Sequence, residues 1–239
     1  MTLYLIGLGL DNEHDISVRG LEVVKTCDTV YYEEYTSRLN RNVTDLETCY
    51  DKKITVLSRE ALEKDIPKIV NEAKEKNIAV LIIGSPLSAT THVEFIIQAH
   101  KNSIPYHVIE AGSVYSAVAI TGLFLYKFGR TTTIPFDNND ITSPYDAYQE
   151  NTKRGLHTLF LLDITTDKLM TCRQGLDYLL KHGLNPETTC VGVGALGSEK
   201  PDIKIGTAKD LSITQFPQSL IIPGKLHFKE EEALALWKQ

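Results

Sequence analysis

Short apolar runs alternating with longer amphipathic stretches dominate this chain, and that rhythm leaves few folds open to it. Runs such as Leu3–Ile6, Thr29–Tyr32 and Ile78–Ile83 are of strand length and rich in branched and aromatic side chains. The stretches between them place apolar residues three and four apart, the spacing of one helix face. Strand-length runs followed by helix-period segments are βα units, which close around a largely buried sheet, so the class is α/β. The pattern predicts a helix from Asp15 to about Lys25, with Asp15 as N-cap and Ile16, Leu21 and Val24 on its apolar side. It predicts further helices over Ala61–Lys76, Thr91–His100 and, rich in small residues, Ser113 to about Leu125, with a strand over Pro105–Ile109.

The second half has a different rhythm. Strands are expected at about Thr131–Ile134, His157–Ile164, Thr189–Val193, Ile203–Thr207 and Ser219–Ile222, with only three helices among them. More strands per helix predicts a mixed sheet. The change of pattern divides the chain into an N-terminal α/β domain, 1–112, and a C-terminal α/β domain with a mixed sheet, 113–239.

Charge and cysteine usage remove several function classes. With 31 acidic against 25 basic side chains, the net charge of −6 lacks the cationic excess that dominates binding to phosphate backbones, so nucleic acid is not an expected partner. No apolar run approaches the roughly 18 to 20 residues needed to cross a bilayer, so no membrane association is expected. The N-terminus shows no basic region, no long apolar segment and no cleavage site, which makes a cytoplasmic address the expectation. Cys27, Cys49, Cys172 and Cys190 lie far apart and form no CxxC pair, so neither a zinc site nor a disulfide framework is read from them.

Three loops carry the candidate chemistry. In Tyr4–Gly20, Gly7 and Gly9 follow a strand and precede a helix, but Asn12 stands where a dinucleotide fingerprint needs a third glycine, so that reading fails. Alone, this loop reads as a turn before it reads as a ligand loop. Ile82–His92 leaves a buried strand and offers the hydroxyls of Ser85, Ser88, Thr90 and Thr91, one of the threonines being a natural N-cap for the next helix. His92 has no second histidine or cysteine at ligand spacing, so no metal is expected. Glu110–Ala117 repeats the strand-to-helix arrangement, with N–H groups near Ser113 suited to a carboxylate and Ser113 equally suited to capping. No nucleophile elbow, Walker loop or HExxH occurs, which removes support from hydrolysis and phosphoryl transfer.

Taken together, YLIGLGL, DISVRGLEVVK, VYYEEYTS, GSPLSATTH, IPYHVIEAGSV, GLFLYKFGRTTTIPF and GLHTLFLLDI resemble the diphthine synthases, the diphthamide-pathway branch of the tetrapyrrole methylase superfamily. SLII at Ser219–Ile222 extends a resemblance that covers nearly the whole chain. It implies a two-domain tetrapyrrole-methylase-like fold of the class III methyltransferases, usually a homodimer, with S-adenosylmethionine in the interdomain cleft. It implies methylation of the modified histidine of translation elongation factor two, with S-adenosylhomocysteine released and no metal involved. The family transfers three methyl groups in its archaeal branch and four in its eukaryotic branch, where the product is diphthine methyl ester. The EYTS and YKFG stretches lean toward four.

Carried over by motif, the family's cofactor positions fall on Leu10, Ser85, Ser88, Ser113, Val114, Leu162, Leu196 and Gln218. The family usually has aspartate, glycine and histidine where this chain has Ser85, Ser88 and Gln218. An Arg-Pro segment expected after IPF is replaced by NNDITSPYD, and a Pro-Pro-Arg-Tyr stretch expected before MTCRQGLDYLL is missing. No general base is singled out, since Asp163, Glu33 and Glu34 each have an equally good structural reading.

Overall fold

The computed structural model describes residues 1–34, 37–39, 41–58, 62, 64–165 and 167–238. Tyr35 and Thr36 of the EYTS motif, and Ala61 at the start of a predicted helix, lie outside the described residues. The chain divides into two compact units, Met1–Val114 and Tyr115–Gln239, so Ser113 and Val114 go with the first.

In the first unit five parallel strands, β1 (Leu3–Gly7), β2 (Thr29–Glu33), β3 (Ile54–Leu57), β4 (Ile78–Ile82) and β5 (Tyr106–Ile109), form a sheet in the order β3-β2-β4-β1-β5. Strand β4 is buried along its whole length, as a central strand covered on both faces must be. Its side chains alternate between two cores. Ile78, Val80 and Ile82 join Ile66, Ile69 and Val70 of α3 (Ile66–Glu72) and Phe95 and Ala99 of α4 (Val93–Lys101). Ala79 and Leu81 join Val24 of α1 (Val18–Thr26) and Leu46 and Tyr50 of α2 (Val43–Tyr50) on the other face. The unbroken apolar run of β4 thus feeds two helical layers at once.

The sequence expectations miss α2 and β3, which fall in a stretch that reads as polar. Strand β3 is four residues long, lies at the sheet edge and buries only Leu57 fully. The N-cap of α1 is Ser17, not Asp15: the Ser17 hydroxyl accepts from Gly20 N at 3.0 Å. The Asp15 carboxylate instead accepts from the backbone amides of Leu10 and Asp11, at 3.2 and 2.8 Å, and so is taken up by the preceding loop. The helix expected over Ser113–Leu125 is also corrected. One α-helical turn, α5 (Val114–Ala117), passes into 3-10 turns at Val118–Thr121 and Leu125–Lys127. Gly122 interrupts them at φ +86°, where a Cβ would sit 2.2 Å from that of Ala233.

The second unit holds β6 (Thr132–Ile134), β7 (Thr158–Leu162), β8 (Thr189–Gly194), β9 (Asp202–Thr207) and β10 (Gln218–Ile222), in the order β6-β7-β10-β8-β9. Only β6 and β7 pair in parallel; the other pairings are antiparallel, which is the mixed sheet the strand-rich pattern predicts. Its helices are α6 (Ser143–Lys153), α7 (Cys172–Lys181) and α8 (Phe228–Ala235). Helix α7 begins with a capping box between Thr171 and Gln174 and buries Cys172, Leu176 and Leu179 against Phe160, Leu162, Leu220 and Ile222. The chain is therefore α/β, with two separate sheets. Among the described residues no helix is long and apolar enough to cross a membrane.

Candidate functional site

Strands β4, β1 and β5 are neighbours, parallel and in register, with Gly7 beside Ile82 and Ile6 beside Ile109. The loops that follow them therefore leave the sheet at one edge, the carboxyl edge where ligands of open α/β sheets collect. These loops are pressed together backbone to backbone. Gly84 N donates to Gly9 O at 2.7 Å, and Leu8 N to Ile82 O at 2.8 Å. A Cβ on Gly7 would lie 2.6 Å from Gly84 O and 2.8 Å from Ala111 Cβ, so all three loops meet at a position only glycine fits. Gly9 turns the first loop at φ +76°. Beside Gly112, by contrast, an added Cβ would meet nothing within 4 Å, and beside Gly84 nothing closer than 3.9 Å.

Five of the expected cofactor residues stand at this edge. Leu10 is half-buried in the first loop, and Ser85 and Ser88 are half-buried in the second, where Ser88 N donates to Ser85 O at 3.1 Å. Ser113 is buried and Val114 half-buried where the third loop enters α5. The Ser85 hydroxyl donates to the carboxylate of exposed Glu110, which ties the second loop to the third. Glu110 escapes sequence reasoning; its signal is an isolated charge between the end of β5 and the Ala-Gly-Ser turn.

Beneath the second loop lies a buried pair. Glu33, at the end of β2, is fully buried, and its carboxylate is 3.7 Å from His92 Nε2, while His92 Nδ1 is 3.3 Å from Pro86 O. Burial holds the His92 imidazole below its ordinary pKa, with Glu33 pulling the other way. The pair fixes the loop from below. The N-cap of α4 is His92 itself, not Thr90 or Thr91, and it has no side-chain cap; the Thr90 hydroxyl accepts from His92 N at 3.4 Å.

Leu162, Leu196 and Gln218 come together at one end of the second sheet. Strand β7 ends at Leu162, β10 begins at Gln218, and Gln218 pairs with Gly194 at the end of β8, two residues before Leu196. Their side chains are spent on the unit's own structure. Gln218 Oε1 accepts from Cys172 N at 2.7 Å and its Nε2 donates to Ile213 O at 3.2 Å. Leu162 belongs to the α7 core, and Leu196 is buried.

None of the three carboxylates left open as bases is singled out. Asp163 accepts from Phe136 N and Ile164 N, at 2.8 and 2.9 Å, Glu33 is buried against His92, and Glu34 accepts from Arg38 at 3.0 Å. Cys27, Cys172 and Cys190 are buried, and burial raises their thiols to about 11, 12 and 12, too high for a thiolate near neutral pH. Among the described residues no group of three or more His, Cys, Asp or Glu is placed to hold a metal ion. A surface hollow of about 360 Å³ in the second unit, lined by Asp202, Thr214, Gln215 and Trp237 among others, contains none of the expected site residues.

Residues 2–212 match the sequence profile of the Tetrapyrrole (Corrin/Porphyrin) Methylases. Among curated proteins the chain is 45% identical to the diphthine synthase of Methanocaldococcus jannaschii, over 97% of each chain. It is 43% identical, with the same coverage, to the diphthine synthase of Methanococcus maripaludis. Among solved structures, a crystal structure of diphthine synthase superposes with a TM-score of 0.94 at 30% identity, covering 100% of this chain and 96% of the other. A putative diphthine synthase from Entamoeba histolytica superposes with a TM-score of 0.90 at 33% identity, covering 100% and 98%.

Proposed function

We infer that this chain, which belongs to the tetrapyrrole (corrin/porphyrin) methylase family, is an S-adenosylmethionine-dependent methyltransferase of diphthamide biosynthesis. Its protein substrate is the modified histidine of translation elongation factor two. The observation that carries this reading is 45% identity across 97% of both chains to a diphthine synthase.

The loop geometry fits the cofactor. Open space beside Gly84 and Gly112 gives a ligand access to the backbone, and the Ser85 hydroxyl and Glu110 carboxylate stand in the same two loops. Leu10, Ser85, Ser88, Ser113 and Val114 are the first unit's contribution to binding. In the second unit Gln218 is committed to Cys172 and Ile213 and Leu162 to the core, so these positions, with Leu196, act first on that unit's own structure.

S-adenosylmethionine, when bound, supplies a methyl carbon already activated by its sulfonium leaving group. The chain's task is to hold that carbon in line with the substrate amine, and positioning of this kind supplies about 7 to 11 kcal/mol in favourable cases. An amine nucleophile gives its proton to water or to a carboxylate before attack, whereas a carboxylate nucleophile needs no base. A cytoplasmic homodimer acting without metal or nucleic acid completes the reading, in keeping with the −6 charge.

The test is intact-mass spectrometry of elongation factor two carrying the unmethylated precursor, incubated with the chain and S-adenosylmethionine. Three successive gains of one methyl mass give the trimethylammonium form, and a fourth, expected from EYTS and YKFG, gives the methyl ester. Stopping at three gives the product that the sequence resemblance implies for the family's archaeal branch. No gain, with cofactor binding measured separately, leaves a protein that binds without turnover.

A further inference from the structure

Among the described residues of the three loops that follow β1, β4 and β5, Glu110 is a carboxylate that the fold leaves exposed. Of the other carboxylates around these loops, Asp15 is occupied by the amides of Leu10 and Asp11, Asp11 accepts from the Asn12 side chain at 2.7 Å, and Glu33 is sealed against His92. Glu110 instead stays exposed, immediately after β5, while Ser85 donates to one of its oxygens from the neighbouring loop. A carboxylate accepts several hydrogen bonds, so one from a serine hydroxyl orients the group and leaves acceptor positions to spare. Of the glycines in these three loops, Gly84 before Ser85 and Gly112 two residues after Glu110 have open surroundings, unlike Gly7 and Gly9.

We propose that Glu110, oriented by Ser85, receives the α-ammonium group at the methionine end of the cofactor. This rests on the cofactor reading above and goes beyond it by assigning a residue to one group of the ligand. S-adenosylmethionine offers an anion four kinds of partner: a sulfonium with no hydrogen to donate, neutral ribose hydroxyls, the neutral adenine amino group, and an ammonium with a full charge and three donors. Charge-assisted hydrogen bonds are about twice as strong as neutral ones, so an oriented carboxylate gains most from the ammonium. Ser85 then acts through Glu110 as a positioning residue.

The experiment is a double cycle by calorimetry on the full chain, using S-adenosylhomocysteine and its desamino analogue, which lacks only the amine, with Glu110→Gln and Ser85→Ala as variants. Weak ligands are measured by competition against S-adenosylhomocysteine, and thermal unfolding checks each fold. Loss of the amine is expected to weaken binding to the unsubstituted chain by at least about ten-fold. It should cost Glu110→Gln almost nothing, and Ser85→Ala an intermediate amount. An equal cost in the unsubstituted chain and Glu110→Gln overturns the assignment. Glu110→Gln losing both ligands alike would place the contact at the ribose or adenine and overturns it as well. An unsubstituted chain that binds neither ligand removes the cofactor reading itself, an outcome distinct from either.

Discussion

The two sheets present their candidate residues in opposite ways. At the carboxyl edge of the first sheet, backbone meets backbone at Gly7, Gly9 and Gly84, space stays open beside Gly112, and Glu110 keeps its charge outward. At the corresponding end of the second sheet, Leu162 is packed in the core, Gln218 donates and accepts within its own unit, and Leu196 is buried. A motif match therefore means different things in the two places. In the first unit it marks groups standing at an open sheet edge; in the second it marks groups spent on the unit's own packing and hydrogen bonds, so substitution there registers first as lost stability.

The strongest form of this contrast is a buried ionic network in the second unit. Glu230 of α8 is fully buried and binds Lys127 Nζ, His157 Nε2 at 2.9 Å, and the amides of Phe124 and His227, each at 2.8 Å. Gly224 N donates to His157 Nδ1 at 2.9 Å, so the imidazole is neutral with its proton on Nε2, aimed at Glu230. Burial pushes the Glu230 carboxyl up, but Lys127 and the donated hydrogen bonds outweigh it and bring it down to about 2. Glu230→Ala strands Lys127 and His157 and should cost about 3–5 kcal/mol, read by chemical denaturation.

The same network sets an acid limit. Glu230 titrates lower in the folded chain than its ordinary 4.5, so the unfolded chain takes up the proton first, and its stabilisation is present above about pH 4.5 and is lost as pH falls toward 2. His157, lowered below 6.5 mainly by burial, has the same sign, with stability beginning to fall below about pH 6.5. A melting temperature that declines as steeply in Glu230→Ala as in the unsubstituted chain between pH 6.5 and 3 would break this assignment.

Leu162→Ala comes next, at about 2–5 kcal/mol, because it opens a void between Phe160, Leu176 and Leu220. If Leu162 instead mainly faced a ligand, the substitution would weaken cofactor binding with little change in melting. Gln218→Ala follows, at about 1–3 kcal/mol, because it leaves Cys172 N without its buried acceptor. A histidine at the same position tests the contrast more finely. A neutral imidazole has one acceptor nitrogen to replace Oε1 and one N–H donor to replace Nε2, in a different geometry from the amide, so Gln218→His should lose less than Gln218→Ala in the same denaturation measurement.

Features set by one stretch of chain were legible in the sequence, and those set by two distant stretches were not. The β4 run announces a doubly covered strand because every residue in Ile78–Ile82 is apolar, and the strand-rich second half announces its mixed sheet. Strand β3 was missed because an edge strand of four residues with two exposed side chains carries little apolar signal, and α2 because its mixed face buries only Leu46 and Tyr50. Asp15 looked like an N-cap because locally it is a good one; the folded loop had another use for it. The candidate positions were found loop by loop, but their partners were not. Ser85 and Glu110 are 25 residues apart, and Gln218 and Cys172 are 46 apart, so no local spacing records either bond.

The smallest expected effect on stability, and the sharpest on binding, is at Gly112. A Cβ there meets nothing within 4 Å, and its backbone does not need the left-handed region, so Gly112→Arg should shift stability by no more than about 0.5 kcal/mol. The same substitution at neighbouring Ser113 would be a poorer probe, because Ser113 is 8% exposed and a guanidinium would have to displace its surroundings. At Gly112 the long side chain instead fills the open space beside the loops and sets a cation near Glu110, the group assigned to the cofactor's ammonium. Binding of S-adenosylhomocysteine by calorimetry should therefore fall below detection while melting is unchanged, the reverse of the pattern at Leu162. Retained affinity would mean that the open space at this edge is not where the ligand lies.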